Sequence, residues 1–240
     1  MNGEKRLVPS DLLRPWLVAN FLAFTVGGGL AGGVLRFLSE PYYGSGVSAM
    51  EAAYIQASSS GASLAIFGAA LGTMQWLVLR RAFRAGLWMP ATCLGFALAG
   101  TISGFLSGGS VSTIGPDEGP LPPVVALLVG FPLVAAVLSG FQWLVLRREG
   151  VAASSWPVIH LSGVFVGFSV AFVAAMSLGK VLHLLEPTDY PSAKAFVLIG
   201  AVAGVVYGAM TWSALAEMCR RAAPARAATQ DHSTVSSTDG

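Results

Sequence analysis

Six polar side chains interrupt long apolar runs: Asn20, Gln75, Thr92, Gln142, His160 and Thr211. Amides, hydroxyls and an imidazole are hydrogen-bonding groups, and in hydrocarbon each needs a partner. Two chemistries follow from such a set. One is bonding between helices, which sets their register at an average of about 0.6 kcal/mol per bond. The other is a layer that binds or gates a small neutral solute, because polar groups inside a membrane otherwise mark pathways. The first is the commoner use and is the reading preferred here.

Other reactive groups are sparse. The three histidines are His160 inside an apolar run, His183 near the opposite face and His232 in the tail. A lone intramembrane imidazole can ligate a haem or chlorophyll, but no second histidine is placed to face His160, so a packed histidine is expected and no cofactor. Cys93 falls inside the third apolar run and Cys219 at the cytoplasmic end of the sixth, which argues against a structural disulfide, and no Cys/His spacing suggests a metal site. No apolar run contains Asp or Glu, which speaks against a carboxylate proton relay or sodium site. Gly27–Gly33 lacks the preceding strand and the lysine of a phosphate-binding loop. No catalytic, cofactor-binding or metal-binding set emerges, and an enzyme is not expected.

The elements that must position the six polar residues are membrane spans. The chain has 240 residues, 54% hydrophobic and 11% charged, against about 25% charged in soluble domains. Crossing a hydrocarbon core about 30 Å thick takes about 20 apolar residues. Six runs qualify: Pro15–Leu38, Ser58–Leu79, Leu87–Ser107, Pro122–Leu146, Trp156–Gly179 and Ala193–Ala216. The first is too long for a signal-peptide core and is expected to remain as a span. The expected fold is all-α and integral to the membrane: six transmembrane helices as three repeated helical hairpins, in pseudo-threefold arrangement. Residues 1–14 form a cytoplasmic segment and 15–221 the transmembrane domain, with repeats at about 15–84, 85–150 and 151–221. Residues 222–240, rich in Ala, Ser, Thr and Asp, are expected to be a disordered cytoplasmic tail.

Charge orients the bundle. Of 14 basic residues, 11 lie in the two terminal segments and the loops after spans two and four: Lys5, Arg6, Arg14, Arg80, Arg81, Arg84, Arg147, Arg148, Arg220, Arg221 and Arg226. The other loops carry Glu40, Glu51, Asp117, Glu118, Glu186 and Asp189. Because basic loops stay on the cytoplasmic side, both termini are expected there. The acids are read as solvated, with a cation-attracting rim as the weaker alternative. The basic residues are too few and too close to the spans for a nucleic-acid surface. Trp16, Trp76, Trp88, Trp143, Trp156 and Trp212 fall at the cytoplasmic ends and are expected to be interface anchors, while four of five tyrosines lie in or beside the outer loops.

The repeat is written in the spans themselves. Gln75-Trp-Leu-Val-Leu-Arg-Arg81 recurs as Gln142-Trp-Leu-Val-Leu-Arg-Arg148, and a fainter copy runs from Thr211-Trp212 to Arg220-Arg221. Each odd span starts with Trp near Pro, at Pro15-Trp16, Trp88-Met-Pro90 and Trp156-Pro157, with Asn20, Thr92 or His160 four residues beyond the Trp. The six polar residues then share one depth in the cytoplasmic leaflet. Glycines four apart (Gly68/Gly72, Gly100/Gly104, Gly163/Gly167, Gly200/Gly204/Gly208) predict close helix contacts. Ser48-Ala-Met-Glu51 is a capping-box pattern, so the second helix is expected to start outside the bilayer.

With its short loops and Trp-started helices, the repeated Gln-Trp-Leu-Val-Leu-Arg segment resembles a family of uncharacterised bacterial multi-pass membrane proteins. The resemblance covers spans two to six and implies a bacterial inner-membrane location and a repeat architecture, with no activity attached. Thr211 departs from the motif's glutamine. Mitochondrial carriers also use three two-helix repeats, but their Pro-x-acid-x-x-base signature is absent. The expected role is structural, accessory or partner-binding, with the lipid bilayer and other membrane proteins as partners. The alternative is a transporter or channel for a small neutral solute.

Overall fold

The computed structural model describes residues 9–42, 46–81, 86–113, 121–151, 154–181 and 193–235. Six helices follow in order: α1 (Pro9–Ser39), α2 (Ala49–Leu79), α3 (Trp88–Thr113), α4 (Leu121–Arg148), α5 (Trp156–Val181) and α6 (Ala193–Val235). A single 3-10 turn, Glu40–Tyr42, closes α1, and no strand occurs among the described residues. Four of the helices contain segments long and apolar enough to cross a bilayer: Asp11–Tyr42, Met50–Leu79, Trp88–Leu106 and Val197–Met218. In α5 the apolar segment among the described residues is shorter, Trp156–Ala171.

Helix ends follow local chemistry. Ser48 caps α2 with a complete capping box: its hydroxyl accepts from the Glu51 backbone N–H, and Glu51 accepts from the Ser48 backbone N–H at 2.9 Å. The helix therefore starts where the cap predicts. Its 31 residues span about 46 Å, well over the thickness of a hydrocarbon core. α4 ends in a Schellman motif. Gly150, with φ of +69°, donates to Arg147 O and Val151 donates to Leu146 O. Glycine suits this left-handed position because it has no Cβ, and Val151 then packs back onto the core.

Two boundaries differ from the sequence expectation. α1 begins at Pro9, so Pro15 lies inside the helix and does not start it. α6 continues to Val235, so residues 222–235 are helical where a disordered tail was expected. The tail's alanines, at 222, 223, 225, 227 and 228, are the strongest helix formers, and they extend an already nucleated helix without needing an apolar face.

Each helix packs against the next in sequence, and α6 packs against α1, which closes the series. Two contacts rest on missing side chains. Between α2 and α3, a Cβ at Gly104 would overlap the Gln56 carbonyl oxygen, and one at Gly68 would lie 2.9 Å from the Thr92 carbonyl. Between α6 and α1, a Cβ at Gly200 would overlap the Phe24 carbonyl oxygen, and one at Gly204 would sit 2.7 Å from the Asn20 carbonyl. Backbones this close allow dispersion contacts that larger residues would prevent. Ser63 Oγ adds an interhelical bond to Ala31 O at 2.8 Å.

The interior divides into two apolar clusters. One gathers Leu12, Trp16, Leu79, Trp88, Leu146, Trp156 and Leu215. The other holds Phe24, Phe67, Phe96, Leu138 and Tyr207. In the second, Phe67 stacks edge-on against Phe24 at 5.0 Å and against Phe96 at 4.9 Å, and Phe24 meets Tyr207 at 5.3 Å. On every helix one polar residue of zero exposure separates the two clusters, and on α4 the buried Ser139 lies beside it.

Candidate functional site: the buried polar layer

Those separating residues are Asn20, Gln75, Thr92, Gln142, His160 and Thr211, and each is 0% exposed. The structure brings all six together, one per helix. Their positions follow from helix geometry. On odd-numbered helices the layer residue lies four positions, about one turn, beyond a buried tryptophan. Asn20 Nδ2 donates to the Trp16 carbonyl at 2.8 Å, and Thr92 Oγ1 donates to the Trp88 carbonyl at 2.8 Å. On α6, Thr211 Oγ1 donates to the Tyr207 carbonyl at 2.8 Å. These local bonds orient the side chains before any partner on another helix is met.

Three indole bonds cross between helices. Trp88 Nε1 on α3 donates to Gln75 Oε1 on α2 at 3.0 Å. Trp156 Nε1 on α5 donates to Gln142 Oε1 on α4 at 3.2 Å. Trp16 Nε1 on α1 donates to Thr211 Oγ1 on α6 at 3.2 Å. The two glutamines then donate onward in the same direction round the series, each to the helix before its own: Gln75 Nε2 to Asn20 Oδ1 at 2.9 Å, and Gln142 Nε2 to Thr92 Oγ1 at 3.1 Å.

Between α5 and α6 the link is made differently. Thr211 carries no amide; Tyr207, one turn away, places its hydroxyl 2.9 Å from His160 Nδ1. The same hydroxyl oxygen accepts a long bond from Gln75 Nε2 at 3.5 Å. Tyr207 is thus a layer residue that sequence reasoning missed. Its signal was available: it is the one tyrosine outside the outer loops, four residues before Thr211.

The tryptophans divide into two groups. Trp16, Trp88 and Trp156 are 0–1% exposed and bonded into the layer, so the expectation that they anchor at the headgroups is corrected. A buried indole N–H needs an acceptor, and the layer supplies one to each. Trp76, Trp143 and Trp212 are partly buried against the same cluster. Arg80 lies over the Trp76 ring at 5.1 Å and Arg147 over the Trp143 ring at 5.4 Å, a cation–π arrangement.

The outer acids contribute no described cluster. Glu40 pairs with Arg36 at 3.5 Å in the open, and Glu51 is committed to its cap. Asp117, Glu118, Glu186 and Asp189, like His183, lie outside the described residues. Among the described residues no three His, Cys, Asp or Glu side chains gather to hold a metal ion. The layer contains no carboxylate and no cation; its capability is hydrogen bonding.

Apolar helices of crossing length, closed around an interior with a buried polar layer, define the class: an all-α integral membrane protein. No family model, no curated protein and no solved structure matches this chain.

Proposed function

We propose that the chain is a structural or accessory protein of the bacterial inner membrane, a six-span bundle of three hairpins with both termini cytoplasmic, whose stiffness serves binding to other membrane proteins. The observation that carries this reading is the state of the polar layer: six buried residues, bonded across helices, with a tryptophan-rich cluster on one side and a phenylalanine-rich cluster on the other. A pathway requires these groups to face a common wet space. Glue requires them to face each other, and their bonds favour that.

The hairpin arrangement is supported by the indole bonds, which run from α3 to α2, from α5 to α4 and from α1 to α6. In each case the tryptophan of an odd-numbered helix donates to the helix before it in the cycle, as threefold-related units would. The inner-membrane location rests on the resemblance carried by the Gln-Trp-Leu-Val-Leu-Arg segments, and the orientation on the basic loops.

Cysteine accessibility in native membranes tests the reading. Thr92→Cys and Thr211→Cys, introduced singly after Cys93→Ala and Cys219→Ala, should resist a membrane-impermeant thiol reagent. Rapid labelling of either would mean a wet layer and would replace the accessory reading with transport of a small neutral solute.

A further inference from the structure

The bonds around Gln75 determine which nitrogen of His160 carries its hydrogen. An indole N–H can only donate, so the Trp88 bond makes Gln75 Oε1 the acceptor and leaves Nε2 as the donor. Nε2 directs one hydrogen to Asn20 Oδ1 and the other to the Tyr207 oxygen. Gln75 Nε2 can only donate to that oxygen, so the acceptor within reach of the buried Tyr207 O–H is His160 Nδ1, 2.9 Å away, and the hydrogen points there. A neutral imidazole that accepts at Nδ1 carries its hydrogen on Nε2. Neutrality follows from the surroundings: the rings against His160 are Trp156 at 5.7 Å and Tyr207 at 5.3 Å, and the layer offers no carboxylate to compensate a buried cation.

The chain of donation therefore ends at His160 Nε2–H. His160 is fully buried, and among the described residues this nitrogen is the one buried side-chain polar atom with no protein partner. Buried polar groups are almost always satisfied, by protein or by an ordered small molecule.

We infer that His160 Nε2–H is the anchoring donor of a binding site for one small uncharged hydrogen-bond acceptor at the core of the bundle, either an ordered water or a carbonyl- or hydroxyl-bearing solute. The chemical class follows from what the site offers. A cation would meet an N–H dipole of the wrong sign, and an anion would find no counter-charge in the layer. The apolar clusters on both sides limit the occupant to something small. The site goes beyond the accessory reading and does not rest on it: a water would complete the same bonded layer, whereas a solute would be a ligand in its own right.

The test is long-range nitrogen–proton NMR of the protein labelled with nitrogen-15 histidine, in lipid nanodiscs and without a histidine tag. His183→Asn and His232→Asn together leave His160 as the single histidine. If that pair fails to fold, the unsubstituted protein compared with each single variant gives the assignment by difference. The expected spectrum is a neutral imidazole protonated at Nε2, its proton shifted downfield by a hydrogen bond. Cross-relaxation to the water line identifies a water; cross-relaxation to another non-protein signal identifies a solute, which native mass spectrometry then weighs. A ring protonated at Nδ1, or an Nε2 proton without the hydrogen-bonded shift, overturns the inference.

Discussion

Gln75 and Gln142 have the same sequence surroundings and different bonding. Gln75 bonds to Trp88, Asn20 and Tyr207 and so touches three other helices, whereas Gln142 bonds to Trp156 and Thr92. Leucine at either position strands a tryptophan N–H, a buried donor whose loss of partner costs about 1–3 kcal/mol in water-soluble proteins and about 0.6 kcal/mol on average within a bilayer. Gln75→Leu is therefore expected to destabilise the bundle by about 1–3 kcal/mol and Gln142→Leu by roughly half as much. Thermal unfolding in mild detergent reads both. Adding Trp156→Phe to Gln142→Leu removes the stranded donor, so the double variant should lose less than the sum of its parts. An additive result would mean that this indole bond contributes nothing.

The common level of these residues along the bundle follows from sequence spacing, because each sits at a fixed distance from a Trp or an arginine pair. The fate of the tryptophans could not. A Trp near a span end has the same sequence signature whether its ring faces headgroups or the bundle axis, and only the rotational setting of α1, α3 and α5 turns Trp16, Trp88 and Trp156 inward. Tyr207 was hidden for a related reason. It occupies the place, four residues before the layer, where Leu71 and Leu138 stand in the other two copies, so an apolar role was the natural expectation.

At the scale of elements, glycine spacing predicted close contacts, and the glycines of the four-apart sets named above all meet a neighbouring helix. Gly200 and Gly104 meet backbone of a neighbouring helix, whereas Gly33 and Gly140 have open space where a Cβ would go. The i, i+4 pattern marks a face, and whether a partner lies on that face depends on helix rotation. Alanine at Gly200 or Gly104 must force α6 from α1, or α3 from α2, an overpacking expected to cost about 1–3 kcal/mol. Gly33→Ala should be neutral, or stabilising by up to about 1 kcal/mol through helix propensity. Unfolding midpoints of the three variants, compared in one detergent, check the contrast. Equal effects would mean that the α1–α6 and α2–α3 contacts are looser than the geometry indicates.

For the whole molecule, the decisive question is whether α4 and α5 cross the bilayer, since the apolar segments of crossing length lie in the other four helices. The layer supplies the argument. Gln142 near the end of α4 and His160 near the start of α5 lie in the same bonded set as Asn20, Gln75, Thr92 and Thr211. Neighbouring helices meet this set alternately towards the start and towards the end of their apolar stretches, Thr211 lying in the second half of Val197–Met218, so they run antiparallel all the way round, and an even number of crossings returns α6 beside α1. Six crossings put the Gly150 turn on the side of the Arg80-Arg81 turn, as the basic Arg147 and Arg148 favour. If α4 and α5 stayed on one side, Gly150 would lie opposite. Reporter fusions distinguish the two. Fused after Gly150, a fluorescent protein that matures only in the cytoplasm should glow, and alkaline phosphatase, active only outside, should be silent. Fusions after Glu118 should behave oppositely. A bright phosphatase signal at Gly150 would reduce the bundle to four spans and move Trp156 and His160 out of the membrane-spanning set.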